Sequence, residues 1–197
     1  MPAFDAALAA RLAVCFLLGS IPFAIVAMAG TGIDIRTVGS GNPGFNNVLR
    51  VSKARAILTL MGDMGKGILA VWLCMRPGDT ALAGWLYGFA AVVGHCYSPW
   101  LRFNGGNGIA TSAGVMLVLY PGWAALALGF FAVVRVGGSK RRWKEAGAIA
   151  SIASWMGFTA LAVVVFSRPE AALAALMTLF LAWRHQQNLR NLLASRG

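Results

Sequence analysis

Residues 55–75 read RAILTLMGDMGKGILAVWLCM, with Arg55, Asp63 and Lys66 the only charges in the stretch. A helix needs about 20 mostly apolar residues to cross the hydrocarbon core of a bilayer, and this run supplies them. The rest of the chain agrees with a lipid setting. Of 197 residues, 58% are hydrophobic and only 12% charged, with a mean hydropathy of +0.69, whereas soluble domains carry about 25% charged residues. Most of the surface therefore faces lipid.

Working outward from 55–75, further apolar runs lie at 6–29, 80–99, 109–120, 123–136, 146–166 and 169–183. The expected fold is all-α: a polytopic membrane helix bundle of about seven transmembrane helices, one integral-membrane domain spanning 1–197. The runs 109–120 and 123–136 are short and separated by Pro121-Gly122, which fits either a helical hairpin or one kinked element and leaves six spans as the fallback. Ala27-Met28-Ala29 resembles a signal-peptidase site. The amino end lacks a basic segment, however, Arg11 lies inside the run, and the run exceeds the roughly 7–15 residues of a signal core. An uncleaved first helix is the expectation.

The net charge of +11 comes from short loops, with no basic stripe or interleaved aromatic platform, so nucleic-acid binding is set aside. With the amino end outside, the inner segments hold Arg36, Arg50, Lys53, Arg55, Arg102, Arg135, Lys140, Arg141, Arg142, Lys144, Arg184, Arg190 and Arg196. Only Arg76 and Arg168 fall outside. Basic residues favour the cytoplasmic side, so the amino end is expected outside and the carboxyl end in the cytoplasm. Basic loops of this kind also suit anionic headgroups and anionic substrates. Cys15, Cys74 and Cys96 lie inside apolar runs at spacings that offer neither a disulfide framework nor a zinc site.

Four polar segments interrupt the apolar pattern. The first, DIRTVGSGNPGFNNVLR at 34–50, combines Gly39, Gly41 and Gly44 with Ser40, Asn42, Asn46 and Asn47, flanked by Arg36 and Arg50. Glycines let successive N–H groups converge on an anion, and the polar side chains add donors. The loop matches neither common nucleotide-binding signature, and the same composition also suits a solvated loop. The second segment is GDMGKG at 62–67, where Asp63 and Lys66 share a helix face and can pair. Charges inside a membrane usually face the bundle interior. The pair reads as an ion pair fastening helices, with Lys66 the member better suited to a substrate phosphate.

The third segment, GHCYSPWLRFNGGNG at 94–108, carries His95 and then Asn104, Gly105, Gly106 and Asn107 ahead of a helix start, a position that favours phosphate. The fourth, RHQQNLRNLL at 184–193, carries His185 and Asn188 three residues apart. A basic amphipathic tail lying on headgroups is the plainer reading of 184–197. Gly84 and Gly88 form a GxxxG, read as close helix packing.

Together with GSIPFA at 19–24, these segments in this order resemble one family over nearly the whole chain: the integral-membrane acyl-phosphate:glycerol-3-phosphate acyltransferases, known as PlsY. The resemblance implies seven helices in the bacterial cytoplasmic (inner) membrane, a fatty acyl transfer from acyl phosphate to glycerol 3-phosphate, and lysophosphatidic acid and phosphate as products. It implies no metal and no cofactor. By that resemblance Ser40 to Asn47 cradle the acyl phosphate with His95 nearby, Arg36, His185 and Asn188 hold glycerol 3-phosphate, and Ser40, His95 and His185 are the catalytic candidates. Three departures stand out. The family's FKGGKG is FNGGNG at 103–108, its Gly-Ala-Thr-Asn is Gly44-Phe45-Asn46-Asn47, and its serines near the sixth helix give way to Glu145 and Ala148. Two lost cations leave room for a diverged relative with another acceptor, or one that only binds lipid phosphates. An anion transporter is the third class, and no inverted internal repeat supports it.

Overall fold

The computed structural model describes residues 5–194; Arg196, counted above among the cytoplasmic cations, lies outside them. Every regular element in that range is helical: α1 Ala6–Ser20, α2 Phe23–Met28, α3 Phe45–Val48, α4 Lys53–Cys74, α5 Ala81–Cys96, α6 Ile109–Leu119, α7 Pro121–Lys140, α8 Ala146–Val165, α9 Arg168–Arg184 and α10 Gln186–Ala194. Short 3₁₀ turns lie at Ile35–Thr37 and Pro99–Leu101. Four stretches are long and apolar enough to cross a bilayer: Ala6–Met28, Lys53–Cys74, Pro121–Lys140 and Ala146–Val165. The apolar runs 80–99, 109–120 and 169–183 form the shorter helices α5, α6 and α9, of 16, 11 and 17 residues.

The run at 6–29, expected as one helix, is two. Pro22 brings no N–H, and the chain leaves helical geometry at Ile21 and Pro22 before α2 begins. Caps fix several other boundaries. The Asp5 carboxylate accepts the Leu8 N–H at 2.7 Å to start α1, and the Ser52 hydroxyl accepts from Arg55 at the start of α4. Glu170 accepts both the backbone N–H and the hydroxyl of Ser167 before α9.

The helices gather into two compact units that divide between Leu119 and Tyr120. In the first, α1 packs on α5 and α4, α2 on α4, and α6 on α4 and α5. Small residues set these seams. A Cβ at Gly19 would overlap the Ala91 carbonyl, and one at Gly94 the Phe16 carbonyl, so α1 and α5 meet backbone to backbone. Gly67 and Gly114 play the same part between α4 and α6, against the Thr111 and Met64 carbonyls. The Gly84–Gly88 pair takes Leu119 and Val115 of α6, as the spacing predicts. Arg11, charged within the first run, is satisfied at the α4–α5 turn: Asp79 lies 2.8 Å from its guanidinium, which also covers the Tyr87 ring.

In the second unit α8 packs against both α7 and α9. Tyr120 stacks on Phe166 at 4.5 Å and donates its hydroxyl to Glu170. The hydroxyls of Thr159 and Thr178 pair at 2.8 Å between α8 and α9. Large apolar side chains point outward in both units, among them Met61 (66% exposed), Trp72 (66%), Leu179 (68%) and Val164 (84%). Such a surface fits hydrocarbon.

The α4–α6 seam is testable. Gly114→Val has no room beside Met64 and is expected to lower stability in detergent by about 1–3 kcal/mol or more, the usual cost of overpacking. Gly65→Val, where nothing lies within 4 Å of the new Cβ, is expected to shift the thermal midpoint far less. Equal losses in the two variants would contradict the seam.

Candidate active site

The break between α1 and α2 turns the carbonyls of Ser20 and Ile21 sideways, and two other elements satisfy them. The Ser98 hydroxyl donates to the Ser20 carbonyl at 2.6 Å, while Trp100 donates its indole N–H to the Ser20 hydroxyl at 3.0 Å. Lys66 of α4 donates to the Ile21 carbonyl at 2.7 Å. The same ammonium lies 2.8 Å from Asp63 Oδ1, both side chains being buried. Charge and distance make this pair, since Asp63 Oδ1 forms no well-aligned hydrogen bond. His95 Nδ1 stands 3.5 Å from the same oxygen. Phe23 lies across the Lys66 ammonium at 5.9 Å and fills the space that a side chain at Gly62 would need. The ammonium of Lys66 is therefore held inside the bundle by protein groups.

The loop at 34–50 is anchored rather than slack. Ile35 and Val48 are buried with Ala24, Met28 and Ala56, and Val38, Phe45 and Leu49 pack on that cluster. Arg55 donates to the carbonyls of Ala27 and Ala29 and closes the end of α2. Gly39 (φ 57°) and Gly41 (φ 69°) place Ser40 at the tip of a turn that L side chains at their positions would strain. Asn47 holds the turn from below. Its amide nitrogen donates to the carbonyls of Ile35 and Val38, each at 2.9 Å, and its oxygen accepts the Ser40 N–H at 3.2 Å. Asn47 is thus occupied by its own loop. By contrast, among the described residues no hydrogen bond takes up the Ser40 hydroxyl or the side chains of Asn42 and Asn46.

Arg36 and Arg50 differ in the same way. The Arg36 guanidinium forks onto Asp34, with Nε 2.9 Å from Oδ1 and Nη2 2.7 Å from Oδ2. Arg36 thereby holds the Asp34 carboxyl down at about 2. Arg50 lies over Gly39, its guanidinium 3.0 Å and its Cδ 3.2 Å from where a Cβ there would sit. The cation beside Ser40 is Arg50.

His95 links this loop to the next. Gly105 donates its N–H to the Cys96 carbonyl at 3.0 Å, and a side chain on it would overlap the His95 carbonyl. A Cβ on Gly106 would overlap His95 Nε2 and lie 3.2 Å from the Pro43 carbonyl. The imidazole thus runs from Asp63 to the Gly105–Gly106 turn, with the Asn42-Pro43-Gly44 turn on the far side. Arg102 and Phe103 take left-handed backbone at φ 52° and 62° to bring the chain round. Asn104 is exposed and Asn107 half-buried beside this turn.

In the second unit His185 caps α9 and is buried, its Nδ1 2.8 Å from the Leu181 carbonyl. A carbonyl only accepts, so Nδ1 carries the proton and Nε2 is the acceptor. Burial lowers the imidazole's pKa and keeps it neutral near pH 7. One helical turn on, Asn188 donates to Glu145 Oε2 at 2.7 Å, and Asn191 to Oε1 at 3.2 Å.

The first unit therefore brings the loop of Ser40, Gly41, Asn42 and Gly44 against His95, Gly105 and Gly106, with Asn47 bonded inside the loop and Lys66 tied to His95 through Asp63. His185 and Asn188 form a second cluster. In the sequence Arg50 is one flanking charge among several, and Ser98 and Trp100 belong to no motif of their own; the break at Pro22, whose freed groups they bind, is the signal that calls for them.

A family model described as "Glycerol-3-phosphate acyltransferase" matches residues 9–195. The glycerol-3-phosphate acyltransferase of Aromatoleum aromaticum is 43% identical over 185 residues, covering 92% of this chain and 91% of that protein. That of Pseudomonas syringae pv. tomato is 41% identical, with 92% of each chain covered. Among solved structures, that of PlsY, an integral membrane glycerol 3-phosphate acyltransferase in its glycerol 3-phosphate form, superposes with a TM-score of 0.84. The identity there is 28%, over 96% of this chain and 93% of that one. The lysophosphatidic acid form of the same protein gives 0.81.

Asn47→Leu removes three hydrogen bonds of about 0.5–1.5 kcal/mol each. Amide exchange across 35–41 is expected to accelerate by one to two orders of magnitude, with 146–165 in the second unit unchanged. Unaltered exchange in the loop would refute the anchoring role.

Proposed function

The chain belongs to the glycerol-3-phosphate acyltransferase family, and we propose that it transfers a fatty acyl group from acyl phosphate to glycerol 3-phosphate, giving lysophosphatidic acid and inorganic phosphate for phospholipid synthesis. The reaction suits a site without a metal or coenzyme. An acyl phosphate is an activated mixed anhydride, so catalysis is mainly orientation of two anions and stabilisation of charge. A hydroxyl oxygen of glycerol 3-phosphate bonds to the acyl carbon, the bond from that carbon to the phosphate oxygen breaks, and the phosphate keeps the electron pair. The hydroxyl proton passes to a phosphate oxygen, so no side chain is required as base.

The observation that carries this reading is the convergence in the first unit. The Ser40 turn, with Arg50 across Gly39, faces outward, while the Asn42–Gly44 turn abuts Gly106 and His95. We assign the acyl phosphate to Ser40, Gly41, Asn42, Gly44 and Asn46, with Asn47 and His95 as positioning residues and Gly105, Gly106, Asn104 and Asn107 alongside. Arg50, whose guanidinium lies over Gly39 beside Ser40, adds a cation to this acyl-phosphate cradle, while Arg36, which the resemblance gave to glycerol 3-phosphate, forks onto Asp34. In the second unit His185 Nε2 accepts from a glycerol hydroxyl and Asn188 contributes its amide. The seven apolar helical segments, counting α1 and α2 as one, are read as seven spans in the bacterial cytoplasmic membrane, amino end outside. Positive-inside charge supports that orientation.

Phe103-Asn104-Gly105-Gly106-Asn107-Gly108 favours a second reading, a relative with another acceptor or without turnover, since the two lysines of the family pattern are absent.

Purified protein in nanodiscs is expected to release phosphate from palmitoyl phosphate only when glycerol 3-phosphate is present, with Ser40→Ala and His185→Ala falling at least tenfold. Acceptor-independent release, or none above those variants, would point to the second reading. On the acid side activity is expected to fall with an apparent pKa below histidine's ordinary 6.5, because burial disfavours the His185 imidazolium. Below that value Nε2 is protonated and cannot accept. An acid limb at or above 6.5 would remove His185 from this role. Asn104→Lys with Asn107→Lys is expected to raise acyl transfer about tenfold if each restores a charge-assisted contact; no gain would mean that the neutral pair is already sufficient.

A further inference from the structure

Glu145 belongs to none of the roles assigned so far. It opens α8 at φ 57°, a left-handed backbone that a non-glycine residue adopts only when something holds it there. Two bonds do so. Its carboxylate oxygens each accept from a different residue of α10, Oε2 from Asn188 at 2.7 Å and Oε1 from Asn191 at 3.2 Å. The same carboxylate lies close enough to His185 to act on its charge. Helix α10 makes few other contacts with the rest of its unit, since it touches α9 mainly at the corner where the two join. The carboxylate is thus the strut between the start of α8 and the helix that carries Asn188.

We propose that Glu145 is a positioning residue for the acceptor site, fixing the Asn188 amide and holding α10 so that Asn188 and His185 keep one relative geometry. This rests on the assignment of His185 and Asn188 to glycerol 3-phosphate. With one N–H of the Asn188 amide committed to a carboxylate, the amide cannot flip, and its carbonyl oxygen keeps a set direction. The Asn188 amide and the His185 imidazole, one helical turn apart, then meet the acceptor in one fixed arrangement.

The test uses the full-length protein in nanodiscs and two variants. Glu145→Gly removes the carboxylate and also relieves the left-handed backbone, so folding is spared. Glu145→Gln keeps the size and one acceptor oxygen. Glu145→Gly is expected to raise KM for glycerol 3-phosphate about tenfold, with KM for palmitoyl phosphate within twofold and kcat less affected. Glu145→Gln should fall between it and the parent. Amide exchange over 186–194 is measured on the same samples and should accelerate at least tenfold in Glu145→Gly, while 146–165 stays unchanged. Exchange is read without turnover, so it decides the strut even if the parent proves inactive with glycerol 3-phosphate, an outcome that would overturn the proposed reaction instead. Unchanged exchange in α10 would overturn the proposal. So would a KM for glycerol 3-phosphate that stays level or falls in an active Glu145→Gly protein, a fall showing that the carboxylate obstructs the acceptor.

Discussion

One buried ammonium ties the first unit together. Lys66 reaches from the middle of α4 to the carbonyl that Pro22 turns out of the first helix, and it meets Asp63 on the way. Burying two charges in hydrocarbon surroundings is costly, and the pair survives because each charge has a partner and the ammonium has a carbonyl as well. The benefit is geometric. A straight first helix would carry the chain past the loops, whereas the broken one turns at Ile21 and sets α2 against α4, where Ala24 and Met28 form the floor for Ile35 and Val48. His95 shares the Asp63 oxygen, so the second loop takes its position from the same point.

Residues of the same type divide in the loop by how much of their hydrogen-bond capacity the fold uses. Asn47 has two amide protons and an oxygen, and the loop uses all of them. Arg36 spends its fork on Asp34. Ser40, Asn42, Asn46 and Arg50 stand where the turn opens outward. Backbone close approach does the rest: Gly105 and Gly106 allow the chain to lie directly on His95, and the glycines at 19, 67, 94 and 114 bring helices near enough for the node to form.

Much of this was legible in the chain, and the misses have physical causes. Six of the seven apolar runs became single helices close to their expected bounds, because period and composition carry that signal directly. The GxxxG at 84–88 packed as its spacing predicts. Pro22 announced a break that hydropathy averaging hides, since Phe23 to Met28 is as apolar as the helix before it. Which polar residue the loop consumes and which one faces outward was not legible: Asn46 and Asn47 are adjacent and chemically identical, and only the fold of the loop turns one inward. Arg36 and Arg50 looked equivalent until Asp34, two residues from Arg36, proved to hold it. Glu145 stood out only as a departure from a family pattern, because its partners lie 43 and 46 positions away.

The central claim is that Lys66 supports the site from within instead of touching substrate. A double-mutant cycle on Lys66 and Asp63, reading the thermal midpoint and acceptor-dependent phosphate release together, tests it most directly. Lys66→Met strands a buried carboxylate, a change that costs about 3–5 kcal/mol, so midpoint and release should fall together. Asp63→Asn added to it should restore a large part of both. A Lys66→Met protein that keeps its midpoint but loses release, with no recovery in the double variant, would place the ammonium on the substrate and contradict the account.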